Sequence, residues 1–310
     1  MSALICGSVA YDTIMVFEDR FRNHILPDRL HMLSVSFQVP QLRREFGGCA
    51  GNIAYNLKLL GGNPLPMATV GKDFDPYARW MDECGVDHRH VTRIDTEYTA
   101  QAFITTDLDD NQITAFHPGA MNSAHLNDVR ETSGVTIGIV APDGREAMIE
   151  HASQFAECGI PFIFDLGQGM PLFDGDDLRR FIDLATWLTF NDYEWEVVRE
   201  RTGLDAAAVA SKVEALIVTR GARGSVVHTR GATIEIPPAR TSGAVDPTGC
   251  GDAYRAGILH GLMNDLDWET TGRLASLMGA LKIERHGTQN HRCTRAEIDS
   301  RFRESFGRSL

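Results

Sequence analysis

The sequence predicts a doubly wound α/β fold, a mostly parallel sheet with helices on both faces, together with a small β-sheet lid. Three observations predict it. Apolar runs of strand length recur at residues 3–6, 65–70, 135–141, 161–166, 187–190 and 215–219. Several are followed by helical patterns, at 50–60, 76–84, 145–158, 176–185 and 192–202, and that alternation is the mark of βαβ units. Two stretches, within 12–45 and 97–117, break the alternation with Val-, Phe-, Ile- and Thr-rich segments such as Gln101-Ala-Phe-Ile-Thr-Thr106. Both flank the first glycine-rich loop, so pairing them into a β lid over a site on the main body is the economical arrangement. The last third turns helical, at 251–264, 270–285 and 294–306, and no repeat or linker divides the single domain 1–310.

Composition narrows the classes of function. With 310 residues, 43% of them hydrophobic, the chain can bury a substantial core. A formal net charge of −12 argues against a nucleic-acid partner, which needs a basic face to neutralise phosphates, and favours a small ligand. Cys6, Cys49, Cys84, Cys158, Cys250 and Cys293 form no CxxC pair, so neither a zinc ribbon nor a disulfide framework is expected, and a reduced cytoplasm fits. No apolar run approaches membrane length and the N-terminus does not read as a leader, so a cytoplasmic protein without membrane contact is expected.

The most informative segment is Asp246-Pro-Thr-Gly-Cys-Gly-Asp252, which runs straight into a helical pattern. Glycines at 249 and 251 let bare amides converge at a helix start, where the field favours an anion such as phosphate. Asp252 then has two readings: a carboxylate that complements the helix dipole, or a base that accepts a proton from an attacking hydroxyl. Near the other end, Phe46-Gly-Gly-Cys-Ala-Gly-Asn-Ile-Ala-Tyr-Asn56 is a second glycine-rich turn opening a helix. Alone it fits tight strand-to-helix packing equally well.

Taken together, these two segments resemble the two signatures of the ribokinase-like (PfkB) carbohydrate kinases. Gly7 with Asp12, Val70-Gly-Lys-Asp73, Asn191-Asp-Tyr-Glu194 and Thr219-Arg-Gly-Ala-Arg-Gly224 follow in the family's order over nearly the whole chain. The resemblance implies a kinase that uses ATP and Mg²⁺, with Asp252 as general base and an anion hole at Gly249, Cys250 and Gly251. It assigns Asn191 and Glu194 to the magnesium surroundings, mostly through water, while Asn191 can equally cap the next helix. Thr219, Gly221 and Gly224 look like the nucleotide-binding turn, and Asp246 resembles a residue near a monovalent-cation site, so a requirement for K⁺ is left open. Pro247 and Cys250 depart from the usual pattern; a packed, inert cysteine is expected.

Three further matches are similar to the bacterial adenosine kinase branch of that family. They are Ala115-Phe-His-Pro-Gly-Ala-Met121, Phe164-Asp-Leu-Gly-Gln-Gly-Met-Pro-Leu-Phe173 and Glu284-Arg-His-Gly-Thr-Gln-Asn-His291. Phe103 and Phe116 offer flat faces for a purine, and Gln168 an amide that both donates and accepts. For the ribose the resemblance assigns Asp12, Gly48 and Asn52, with Ser8 and Ser36 as weaker candidates. His286 and His291 lack a third ligand at suitable spacing for a metal. The expected reaction is adenosine plus ATP giving AMP and ADP. A simple sugar, inosine or guanosine as acceptor, or a nucleoside-binding regulator without chemistry, are the competing expectations, and a homodimer through the lid is a further one.

Overall fold

The computed structural model describes residues 1–25, 34–109 and 111–310. The strands are β1 (Ser2–Cys6), β2 (Ala10–Val16), β3 (Gln41–Gly47), β4 (Pro64–Gly71), β5 (His90–Ile94), β6 (Ala100–Thr106), β7 (Gln112–His117), β8 (Val135–Val140), β9 (Phe162–Asp165), β10 (Trp187–Asn191), β11 (Ala215–Thr219), β12 (Ser225–His228) and β13 (Thr233–Ile236). The helices are α1 (Cys49–Leu59), α2 (Asp75–Cys84), α3 (Arg145–Glu157), α4 (Gly175–Leu184), α5 (Asp192–Thr202), α6 (Ala206–Ala210), α7 (Cys250–Met263), α8 (Trp268–Ile283) and α9 (Arg295–Phe306).

Among the described residues nine strands form the main sheet in the order β13-β12-β11-β10-β9-β8-β1-β4-β5, with only β12 running against the others. Alternation along β1 shows why the sheet needs helices on both sides. Ala3 and Ile5 enter a core with α1, α2, α7 and α8, while Leu4 and Cys6 enter a second core with α3, α4 and α5. The chain winds from β1 outward to β4 and β5, then returns and winds the other way through β8 to β11. The strand order therefore reverses between β1 and β8, and ligands of such sheets bind beyond the carboxyl ends of the strands at that reversal. There the amide of Ser8 donates to the Pro142 carbonyl at 3.1 Å.

The second sheet has the order β3-β2-β6-β7, with β2 and β6 parallel and the outer pairs antiparallel. Its strands come from the two stretches that break the βα alternation; the 26–33 part of the first stretch lies outside the described residues. The half-exposed edge strand β5, with His90, Thr92 and Arg93 in five positions, carries no apolar run and is legible only in the structure.

Candidate active site

The late glycine motif forms the turn into α7. Gly249 caps the helix at φ 79°, and a side chain there would press on Thr288, so the left-handed turn and the close approach both require glycine. The amides of Gly249, Gly251 and Asp252 have no protein acceptor among the described residues. The expected trio of donors is corrected at Cys250, whose amide closes a turn onto the Pro247 carbonyl at 3.2 Å. Its thiol lies 3.9 Å from the Asp246 carbonyl, and burial pushes its pKa up to about 11, away from the thiolate form.

Asp252 stands in the first turn of α7, and its Oδ2 accepts from Asn52 Nδ2 at 2.8 Å. Burial raises its pKa; Arg255 and donors from α1 work against that rise. Arg255, one turn further on, folds back toward the helix start, where any side chain at Gly251 would collide with its guanidinium. It is 7% exposed and paired with buried Asp165 at the end of β9, Nη2 donating to Oδ1 at 2.6 Å. Burial pushes Asp165 up to about 7 against the pull of Arg255. Asp165 lies in the 164–173 segment and Arg255 just past the late glycine motif, but the sequence reading gave neither a function.

Asn52 is held from the other end of the chain. Its Oδ1 accepts from Gln289 Nε2 at 3.0 Å, and the same nitrogen donates to Tyr77 Oη at 2.6 Å. Gln289 Oε1 accepts from the Trp80 indole N–H at 2.8 Å, and Tyr77 Oη donates to the Gly47 carbonyl at 2.7 Å. An indole nitrogen only donates and a carbonyl only accepts, so both amide orientations are fixed and an Asn52 N–H must face Asp252. The Gly-Thr-Gln segment was legible as an element, but the function of Gln289 in it was not.

The sugar candidates divide. Gly48 caps α1 at φ 84°, where a side chain would strike the backbone of residues 8–10. Ser8 supplies the missing cap: its Oγ accepts from the Cys49 amide at 3.1 Å and its carbonyl from Ala50 at 2.9 Å. Asp12 lies on β2 beside Gly47, and its pKa is pushed up to about 6 by burial first and then by Asp252, Glu45 and Asp246. The carboxylates of Asp12 and Asp252 thus feel one another across the site. Ser36 and Gln168 are exposed and make no hydrogen bond to this cluster.

The two phenylalanines cannot bracket one ring. Ala102 pairs with Phe116 and Phe103 with Ala115, so Phe103 and Phe116 leave opposite faces of the small sheet. Asp12 is in register with Ala102 and Glu45, which puts Asp12, Ala102 and Phe116 on one face and Phe103 on the other. Ile14 and Ile104, two residues further along, share the Asp12 face. They are the apolar positions the sequence reading passed over.

The remaining candidates line the carboxyl ends of neighbouring strands. Asn191 and Thr219 are register partners closing β10 and β11. Asn191 caps α5, Oδ1 accepting from the Glu194 amide at 2.8 Å, and Glu194 returns the bond to the Asn191 amide at 2.8 Å. Gly221 and Gly224 frame the following turn at φ 56° and 82°, and a side chain at 224 would strike the Ile236 carbonyl. Arg223 ties that turn to Asp192 of α5 at 2.7 Å. Asp246 accepts from the amides of Thr248 and Gly287, both at 2.9 Å, which hold its pKa below the usual range despite burial. Among the described residues no group of three or more His, Cys, Asp or Glu is arranged to hold a metal ion. The Asn191 and Glu194 side chains already bond to one another, so the magnesium expectation fits these residues only through water.

A glycine-framed helix start, a carboxylate bound in its first turn and a strand-edge nucleotide turn describe an ATP-dependent phosphotransferase with an alcohol group as acceptor. The sequence model of the pfkB family carbohydrate kinases matches residues 9–295, and the chain belongs to that family. A nucleoside kinase of Methanocaldococcus jannaschii is 31% identical over 260 residues, covering 83% of this chain and 85% of its own. The structure of Burkholderia thailandensis nucleoside kinase in complex with inosine has a TM-score of 0.90 and 52% identity, covering 99% of both chains. The same kinase in complex with ADP and inosine has a TM-score of 0.88 and 54% identity, covering 99% of this chain and 97% of that one.

Proposed function

We propose that the protein transfers the γ-phosphoryl group of ATP to the 5′-hydroxyl of a purine nucleoside. Adenosine, giving AMP and ADP, is the acceptor suggested by the sequence motifs. Inosine is a second reading, favoured by the complex of the Burkholderia thailandensis kinase, which is 52% identical over 99% of the chain. The observation that carries the reaction is the 2.8 Å bond from Asn52 to Asp252, which joins the two glycine-opened helices at one carboxylate.

In this reading Asp252 takes the hydroxyl proton as general base while the oxygen attacks phosphorus. The amides at 249, 251 and 252, which have no protein acceptor among the described residues, together with the field of α7 stabilise charge developing on the phosphoryl oxygens. Asn191 and Glu194 would hold magnesium through water, and the ion would supply positive charge to the phosphates of ATP. Thr219, Gly221 and Gly224 admit the nucleotide at close range. Asp12, Gly48 and Asn52 hold the ribose, Asp12 accepting from sugar hydroxyls, and the Asp12 face of the small sheet covers the base as a lid. The enzyme works in the cytoplasm in purine salvage, and its exposed edge strand β7 offers a surface for a homodimer.

A panel of adenosine, inosine, guanosine and ribose with Mg-ATP tests the acceptor; turnover of ribose with none of any nucleoside would overturn it. Asp252→Asn is expected to lose ~10²-fold or more in kcat while nucleoside binding persists, the scale of general-base catalysis. Unchanged turnover would remove Asp252 as the base.

A further inference from the structure

Lys282 is a fully buried cation that the proposed reaction does not use. It lies in the last turn of α8 at 0% exposure. Its ammonium donates to the carbonyl oxygens of Asp246 at 2.7 Å and Arg285 at 3.2 Å, and stands 3.9 Å from Asp246 Oδ2. Burying an ammonium is costly unless oxygen ligands replace its water, and these ligands do so at a helix end whose dipole favours positive charge.

The two carbonyls belong to the loops that frame the anion-binding turn. Asp246 opens the segment leading to Gly249. Arg285 leads to Gly287, whose amide holds Asp246 Oδ2 at 2.9 Å, and to Thr288, which packs against Gly249. The ammonium therefore fastens one loop to the other directly beneath the start of α7. The resemblance left open a monovalent cation at Asp246, and the donor set does not fit one. The Asp246 carbonyl is committed to Lys282, and each carboxylate oxygen accepts a backbone amide. A metal cation sharing that carbonyl would face the ammonium across a single oxygen, in surroundings that screen the repulsion poorly.

We propose that Lys282 is a built-in monovalent cation, whose ammonium ties the 246 and 285 loops together so that the anion-binding turn needs no bound K⁺. The inference goes beyond the phosphotransfer reading, and its first readout does not require turnover.

The test compares the intact protein with Lys282→Ala, which removes the charge and leaves space for an ion. Both are melted in potassium, ammonium and tetramethylammonium chloride at equal ionic strength. The wild-type midpoint is expected to agree across the three salts within ~1 °C. Lys282→Ala is expected to fall by roughly 5 °C or more in tetramethylammonium and to regain at least about half of that with potassium or ammonium. In the kinase assay, wild-type kcat is expected to stay within about two-fold across the salts, whereas the variant loses ~10-fold and recovers with the small cations. About ten-fold stimulation of the wild type by potassium would overturn the proposal. A variant with wild-type midpoint and rate in tetramethylammonium, or a loss that neither small cation reverses, would do the same. Should Lys282→Ala fail to fold, Lys282→Gln, which keeps one donor without the charge, is carried through the same salts, and the same results support or overturn the proposal. An inactive wild type that still shows the cation-dependent melting of the variant would count against the kinase reading and not against this one.

Discussion

At the scale of single residues, the site is governed by carboxyl groups in poor solvent. Asp143, between β8 and α3, is 5% exposed; the Gly144 amide donates to its Oδ1 at 2.8 Å, while Oδ2 has no partner among the described residues. Burial pushes its pKa up to about 8. The unfolded carboxyl titrates near ~3.9, so between these values the folded protein holds a proton that the unfolded chain has lost. Stability conferred by the protonated form is present at low pH and declines as pH rises through that window. Asp165, pushed up to about 7, and Asp12, pushed up to about 6, act with the same sign over narrower ranges. Asp143→Asn is expected to flatten the decline, so the drop in melting temperature from pH 5 to pH 8 shrinks by roughly 3 °C or more. Parallel melting curves for variant and wild type would assign the slope to other groups.

At the scale of elements, strand register assigns functions that composition cannot. Phe103 and Phe116 are equivalent by residue type and differ by one step of the pleat, which places only Phe116 on the face of Asp12. Phe116→Ala is expected to raise the nucleoside KM by roughly ten-fold, the worth of one stacking face, and Phe103→Ala to change it less than about two-fold. Equal effects from both variants would contradict a lid that meets the base with one face. Helix starts show a similar division of labour: Asn191 and Glu194 form a capping box, so their place in sequence is accounted for by α5 before any ligand arrives.

At the scale of the whole molecule, the C-terminal segment fixes the geometry of the N-terminal helix. The line from Trp80 through Gln289 and Asn52 to Asp252 joins α2, the 284–291 loop, α1 and α7. Gln289→Met keeps the volume and removes the donor to Asn52 Oδ1, so the amide that donates to Asp252 is no longer held in place. The variant is expected to lose ~10-fold in kcat with little change in the ATP KM, because the lost interaction acts on Asp252, the proposed base, and not on the nucleotide. If Asn52→Leu alone and the double variant Asn52→Leu/Gln289→Met turn over equally, the effect passes through Asn52; additive losses would place it elsewhere.

Much of this was already legible along the chain. The βα alternation and the glycine-opened helices follow from local rules, namely apolar period and backbone freedom at Gly48 and Gly249, whereas those rules left Asp252 with two readings and only the family resemblance proposed it as the base. These belong to short segments and survive in one dimension. Tertiary structure alone decided that Arg255 meets Asp165 and that Phe103 turns away from Asp12. It also decided that the ammonium of Lys282 reaches the carbonyl of Asp246. Each of these depends on which partner a donor finds, or on which side of a pleat a residue falls. Pairing across dozens or hundreds of positions sets both, and no local pattern records it.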